Sequence, residues 1–218
     1  MIKVENVDTW GFEHAIRGMR NPLNSWAKSD SKFDVQTYWD EENTLEAEHY
    51  DAIIGMNDLD LMRRLYKAGT EHRKYLRQIS VSMDITAPLY WWKEFDTYKV
   101  GTTSNSCSTM HKIAEKEFEL DDFSHEQLSG NSISVLNDLI DWLNFERREY
   151  RRTKSKAYWW QLIQLLPSSY NQKRTITMNY ENVANIIHQR KCHKLDEWVE
   201  FCQELEKLPY VSEIMYEG

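Results

Sequence analysis

The run ISVSMDITAPLYWWKEF, Ile79 to Phe95, places two periodicities back to back. Its first eight residues alternate, with Ile79, Val81, Met83 and Ile85 on one side and Ser80, Ser82, Asp84 and Thr86 on the other. That is the period of a strand with one buried face. Ala87-Pro88 then opens a helix, because Pro costs little in a first turn whose N–H groups have no helical partner. Leu89, Tyr90, Trp91, Trp92 and Phe95 make this helix apolar almost all round. A helix apolar on every side must be buried by more than its own sheet, which predicts a partner subunit over the remainder. Behind it follows DTYKVGTTSNSCSTMH, Asp96 to His111, small and hydroxyl-rich with no Pro. Such a tract, neither linker nor repeat, implies that something compact contacts it.

Working outward, Ile2, Val4 and Val7 predict a short first strand, and GFEHAIRGMRNPLNSW a helix that ends at Asn21-Pro22, since the residue before Pro avoids the helical region. Residues 27 to 52 are polar and acidic and read as a long surface excursion. Asn57 is placed to cap the helix DLDLMRRLYKA, with Asp58 and Asp60 in its first turn and Gly69 after its end. Downstream, Ser124 and Gln127 have the spacing of a capping box before SISVLNDLIDWLNF, where Ile133, Leu136, Ile140 and Leu143 recur at helical spacing. ERREYRRTKSKAYWW, Glu146 to Trp160, concentrates positive charge among aromatics. It reads as a solvated helix face over buried Trp159 and Trp160 rather than as a nucleic-acid patch. Leu166-Pro167 closes that helix, TITMN is a strand that delivers Asn179 to the cap of YENVANIIHQR, and LDEWVEFCQELEKL is a final helix. The class is α+β, a small and mainly antiparallel sheet covered by helices, in one domain over residues 1–218.

Composition limits the function. The chain has 218 residues, 41% of them hydrophobic, and a formal net charge of −8. One good core is within reach, and general nucleic-acid binding is disfavoured, because phosphate neutralisation needs clustered cations that outweigh the acids. No apolar run reaches the roughly 20 residues of a membrane span. MIKVENVDTWGF lacks the basic and apolar regions of a signal peptide. A cytoplasmic protein is expected, with Cys107, Cys192 and Cys202 as reduced thiols.

On the penultimate helix Asn179, Val183, Ile186 and Arg190 follow steps of four, three and four, so an amide and a guanidinium share the inward stripe. A partly buried Arg needs an acceptor. Two candidates stand open: a carboxylate from another element, or a ligand carbonyl or phosphate. Since no acid on the same helix reaches the stripe, a ligand is the expectation. His188, Cys192 and His193 could pinch a metal but offer no fourth ligand, and Glu46, Glu48, His49 and Asp51 form a cluster that an acidic loop produces by composition alone. No metal site is expected. Walker, dinucleotide-glycine and nucleophile-elbow motifs are missing.

Taken together, the strand, Ala87-Pro88, the aromatic helix and the tract after it resemble the flavin-dependent thymidylate synthases. Their signature follows Ala-Pro and an aromatic helix with Gln-x-x-Arg-His-Arg-x-x-Ser-x-Asn-x-x-Ser-x-Arg-Tyr. Here Thr97, Tyr98 and Lys99 stand at Arg-His-Arg, Asn105 and Ser108 fall on the Asn and second Ser after one inserted residue, and Met110 and His111 replace Arg-Tyr. Leu166-Pro167, TITMN and the helix to Arg190 are similar to the family's Leu-Pro, strand and Asn-x-Arg-Ser-Leu helix with its trailing Leu-Arg.

The resemblance implies flavin adenine dinucleotide on Asn179 and Asn185, with Asn105, Lys99 and Gln78 as further cofactor contacts. It implies a pyrimidine nucleotide held by Arg190, the residue given the catalytic part, and by Ser108, Thr102 and Thr103. It implies methylation of dUMP, with methylenetetrahydrofolate and NADPH as co-substrates, in a homotetramer. The chain departs from the pattern where the family's Arg two places after the first Asn becomes Glu181, where Glu-His before the strand becomes Arg77-Gln78, and where the Arg before Leu-Pro becomes Ile163. Met110 and Ile163 cannot clamp a phosphate that wants bidentate Arg. The alternative function is therefore a non-catalytic nucleotide-binding protein on the same fold.

Overall fold

A computed structural model describes residues 2–39 and 45–216, apart from the side chains of residues 34–51, Thr109 and His111. Four strands form one antiparallel sheet: β1 (Lys3–Trp10), β4 (Ser80–Pro88), β5 (Thr103–Ser106) and β6 (Asn171–Asn179), in the order β1-β4-β6-β5. β2 (Lys32–Trp39) pairs with β3 (Leu45–Ile53) in a separate two-stranded sheet. The helices are α1 (Phe12–Arg20), α2 (Met56–Lys67), α3 (Leu89–Phe95), α4 (Thr109–Lys112), α5 (Gly130–Thr153), α6 (Lys156–Leu165), α7 (Tyr180–Arg190), α8 (Asp196–Glu206) and α9 (Val211–Met215). This is the α+β class expected from the sequence.

The alternation in β4 holds along its length: Val81, Met83 and Ile85 are buried, and Ser82, Asp84 and Thr86 face the more open side. Ile176 and Met178 of β6 continue the buried face, and helices α1, α2, α3, α7, α8 and α9 cover it. β1 carries a bulge between Glu5 and Asp8, with Asn6 at φ 51, so Val7 faces out. Gly11 turns the chain from β1 into α1 at φ 97, and a Cβ there would lie 2.1 Å from the Gln78 carbonyl oxygen; only glycine fits that turn.

Several local expectations are corrected. Residues 27 to 52 are not a plain excursion, because most of them build the β2–β3 hairpin. Its signal was the alternation of Phe33, Val35, Thr37 and Trp39. Helix α2 is capped not by Asn57 but by the remote Asp30, whose carboxylate accepts from the N–H groups of Asn57 (3.0 Å) and Asp58 (3.2 Å). Asp58 is no dipole-facing surface acid. It is buried against Arg20 at 2.5 Å and accepts from the hydroxyls of Ser29 and Ser31 and the N–H groups of Asp30 and Ser31. Burial alone would raise its pKa, but bonds from Ser31, Ser29, Arg20 and Asp30 outweigh that and hold it below the usual value. Ser129, not Ser124, caps the long helix α5, accepting from the Ser132 N–H, and Gln127 donates to Asp196 instead of closing a capping box.

The aromatic helix α3 is buried within its own chain. Trp91 packs on Trp198 of α8 with ring centroids 4.6 Å apart, Phe201 covers it edge-on at 5.2 Å, and Trp92 donates its indole N–H to the Gln172 carbonyl with Arg174 over its ring. No partner subunit is required there, so that argument for assembly falls. A second, smaller core lies between α5, α6 and the segment around Phe118 and Phe123. Trp159 is half-buried and Trp160 exposed, against the expectation that both are buried.

Candidate functional site

Helix α7 and its cap carry Asn179, Asn185 and Arg190 of the expected site, and the structure shows what each end does. Asn179 ends β6 in extended conformation and caps α7 by accepting from the Asn182 N–H at 3.1 Å. The turn between α3 and β5 lies directly over this end. Gly101 sits there at φ 72, and a Cβ on it would come within 2.5 Å of Asn179 Nδ2. Asn182 donates its amide to the Val100 carbonyl (2.9 Å) and to the Thr102 hydroxyl (3.0 Å). The compact element in contact with the hydroxyl-rich tract is therefore the head of α7. Beyond the turn, Thr103 to Ser106 form the exposed edge strand β5, with Thr103 opposite Thr177 and Asn105 opposite Thr175.

One turn along α7, Asn185 accepts from Arg73 Nη2 at 3.1 Å. Arg73 also faces Glu181, at 3.6 Å, and Arg77 is bonded to the other oxygen of the same carboxylate. Glu181 and Arg77 are two of the departures from the signature, and they meet. The acid on the helix and the base before the strand form an ion pair within this chain. Sequence reasoning recorded both changes and missed that they pair, because residues 104 apart in the chain leave no local signal of contact.

Arg190 at the far end is answered by a side chain. Its Nη1 donates to Glu94 of α3 at 2.8 Å, its Nε to the Tyr98 hydroxyl at 2.9 Å, and its plane lies over the Trp198 ring at 4.9 Å. Glu94 also accepts from Trp198 Nε1 at 3.0 Å and faces His193 at 3.5 Å. The expectation that a ligand supplies the acceptor is corrected: the carboxylate comes from another element, the first of the two candidates. Asn179 and Arg190 stand eleven residues apart, about 16 Å along a helix at 1.5 Å per residue. One chain therefore does not bring them to one small ligand.

The remaining expected residues lie on open surface. Lys99, Thr103, Asn105 and Ser108 are exposed along the turn and the edge strand. Gln78 is exposed at the mouth of a cavity of about 340 Å³ shared with Gly18, Met19, Tyr75 and His72. Asn179, Asn185 and Thr102 are satisfied inside the chain, while Lys99, Asn105 and Gln78 point to solvent. As a flavin contact set these groups fit only in part: Lys99 and Asn105 lie on the turn and edge strand, and Gln78 lies apart from them beside Gly18. Among the described residues no group of three or more His, Cys, Asp or Glu side chains could hold a metal, and the Glu46, Glu48, His49 and Asp51 side chains lie outside the description. Cys202 is buried, which pushes its thiol up to about 12, and Cys107 and Cys192 are exposed free thiols. No described helix is long and apolar enough to cross a membrane.

No protein-family model matches the chain, and no curated protein is similar to it in sequence. Solved structures do resemble it over its whole length. The flavin-dependent thymidylate synthase ThyX from Helicobacter pylori, complexed with FAD and dUMP, superposes with a TM-score of 0.64 at 15% identity, covering 99% of this chain and 98% of that one. A second structure of the same enzyme with FAD and dUMP gives a TM-score of 0.63 at 15% identity, covering 100% and 98%. From β1 to α9, the chain has the fold of a flavin-dependent thymidylate synthase.

Proposed function

We propose that this protein binds a flavin and a pyrimidine nucleotide on its thymidylate-synthase-like scaffold. The observation that carries the reading is the end-to-end correspondence of fold with ThyX, a protein seen with FAD and dUMP. It is supported by the polar turn that sets Lys99 to Thr103 over the head of α7 and by the exposed edge strand that leads from there through Asn105 toward Ser108. The flavin contacts in this reading are Asn105, Lys99 and Gln78 from the open face, with the amides of Asn179 and Asn185 at its base. The nucleotide contacts are Ser108, Thr102 and Thr103. Arg190 joins them only from another copy, since one chain sets it about 16 Å from Asn179. The protein accordingly assembles as a homo-oligomer, a tetramer, in which a second subunit closes the polar face. A bound flavin would supply the redox chemistry; the chain's own part is to orient the ring and the nucleotide.

A second reading has its own observation. Glu181, paired with Arg77, puts negative charge on α7 at the place of the family's Arg, and Arg190 is already held by Glu94. Both favour a protein that binds nucleotide without methyl transfer, as a regulator or sequestering protein. Thymidylate formation from dUMP with methylenetetrahydrofolate and NADPH separates the two. Turnover establishes the enzyme. Binding of FAD in a fluorescence titration without turnover establishes the second reading, and no response to either FAD or dUMP removes both.

A further inference from the structure

The α5–α6 turn carries more positive charge than the acids beside it neutralise. From Arg147 to Lys156 there are six cations and one carboxylate, Glu149. The four arginines are engaged: Arg152 with Glu149 at 2.6 Å, Arg148 with Glu117 at 3.7 Å, and Arg147 and Arg151 with the Glu115 carbonyl at 3.0 and 3.4 Å. The two lysines are not. Among the described residues Lys154 meets only the Tyr150 ring, at 5.9 Å, and Lys156 only the Trp160 ring, at 5.6 Å. Both lysines line a groove of about 300 Å³ that Tyr150, Trp159 and Met110 complete. Trp159 donates its indole N–H to the Met110 carbonyl at 3.1 Å, which ties the groove to the tract that carries Ser108.

We propose that this groove binds the phosphate end of a nucleotide, with the phosphate between Lys154 and Lys156 and a planar ring against Trp159. Two cations without acids, on aromatic walls, suit an anion carried by a flat ring. A net charge of −8 over the whole chain keeps the site to small anions rather than a polynucleotide. The groove stands next to Met110, where the signature's Arg is lost, so the lysines supply charge from a different element. This inference rests on the nucleotide reading above, and the test separates the two.

The experiment is calorimetric titration of the full chain with dUMP, AMP and phosphate-free deoxyuridine, for the unaltered protein and for Lys154→Gln/Lys156→Gln. The expected result is that both nucleotides bind, that the double variant weakens them by about tenfold or more, and that deoxyuridine binds weakly and equally to both proteins. Equal affinity for dUMP and AMP, both lost in the variant, keeps the phosphate groove and overturns the pyrimidine reading. Binding of dUMP unchanged in the variant overturns the groove and leaves that reading standing. No binding of either nucleotide to the unaltered protein overturns the groove as well. Circular dichroism of the variant must match that of the parent, and exposed lysines at these positions make that the expected outcome.

Discussion

The sheet-centred core and the α5–α6 hairpin treat their aromatic residues in opposite ways. In the first, Trp91, Trp92, Phe95, Trp198 and Phe201 pack on one another and are almost fully buried. In the second, Val135 (68% exposed), Trp142 (51%) and Phe145 (44%) lie along one side of α5, with Trp142 and Phe145 5.5 Å apart. Val135, Leu139, Trp142 and Glu146 follow helical spacing. Glu146 is buried with one carboxylate oxygen unpaired, and desolvation raises its pKa. The comparison teaches where assembly is to be sought. The aromatic helix from which a partner subunit was expected is buried within the chain, whereas α5 leaves Val135, Trp142 and Phe145 exposed.

Breaking the core should cost most. Arg20→Ala leaves Asp58 buried with its charge-bearing partner gone, and stability in urea unfolding should fall by about 3 to 5 kcal/mol. Trp198→Ala, which empties the centre of the aromatic cluster, should cost a similar amount, about 3 to 5 kcal/mol. By contrast, Trp142→Gln should change the unfolding free energy of dilute protein by less than about 0.5 kcal/mol and lower the oligomer mass in sedimentation. A large stability loss from Trp142→Gln without any change in mass would reverse the contrast between the two regions.

Two further tests sharpen it at the ends of α7. Arg190→Ala should lose about 2 kcal/mol, less than Arg20→Ala because Glu94 is partly in water. At the other end, Arg77→Glu and Glu181→Arg should each weaken the fold, and the double exchange should recover part of the loss in a double-mutant cycle. Additive losses would mean that the pair contributes nothing.

The smallest effect is on pH. Asp58 is held below its ordinary pKa, and Asp84, bonded first by Thr175 and then by Asn6 and Lys173, is lowered to about 2. A depressed carboxylate contributes stability that is complete above its unfolded pKa of about 4 and is lost as pH falls through the folded value. Unfolding midpoints should therefore hold from neutrality to about pH 4 and decline from there toward pH 2. A decline that begins near pH 6 would implicate other groups.

The sequence made β4 legible because alternation over eight residues is a strong local signal, and it made α7 legible because Asn179 is both strand end and cap. It hid whatever depends on distant partners. Asp30 caps a helix 26 residues ahead, and Glu94 reaches Arg190 only because α3 and α8 pack together. The site was legible to the same limit. Spacing alone put Asn179 and Arg190 on one stripe, but it gave no reason to expect a carboxylate from α3 at one end or a glycine turn over the other. The resemblance named Glu181 and Arg77 as losses, and only the fold shows that they bond to each other.

The visible absorption spectrum of freshly and gently purified protein tests the central reading most directly. A flavin spectrum is expected in the isolated protein, or its appearance as bound, non-dialysable colour after incubation with FAD. Colourless protein that retains no FAD after dialysis, while remaining folded and oligomeric, would contradict that reading.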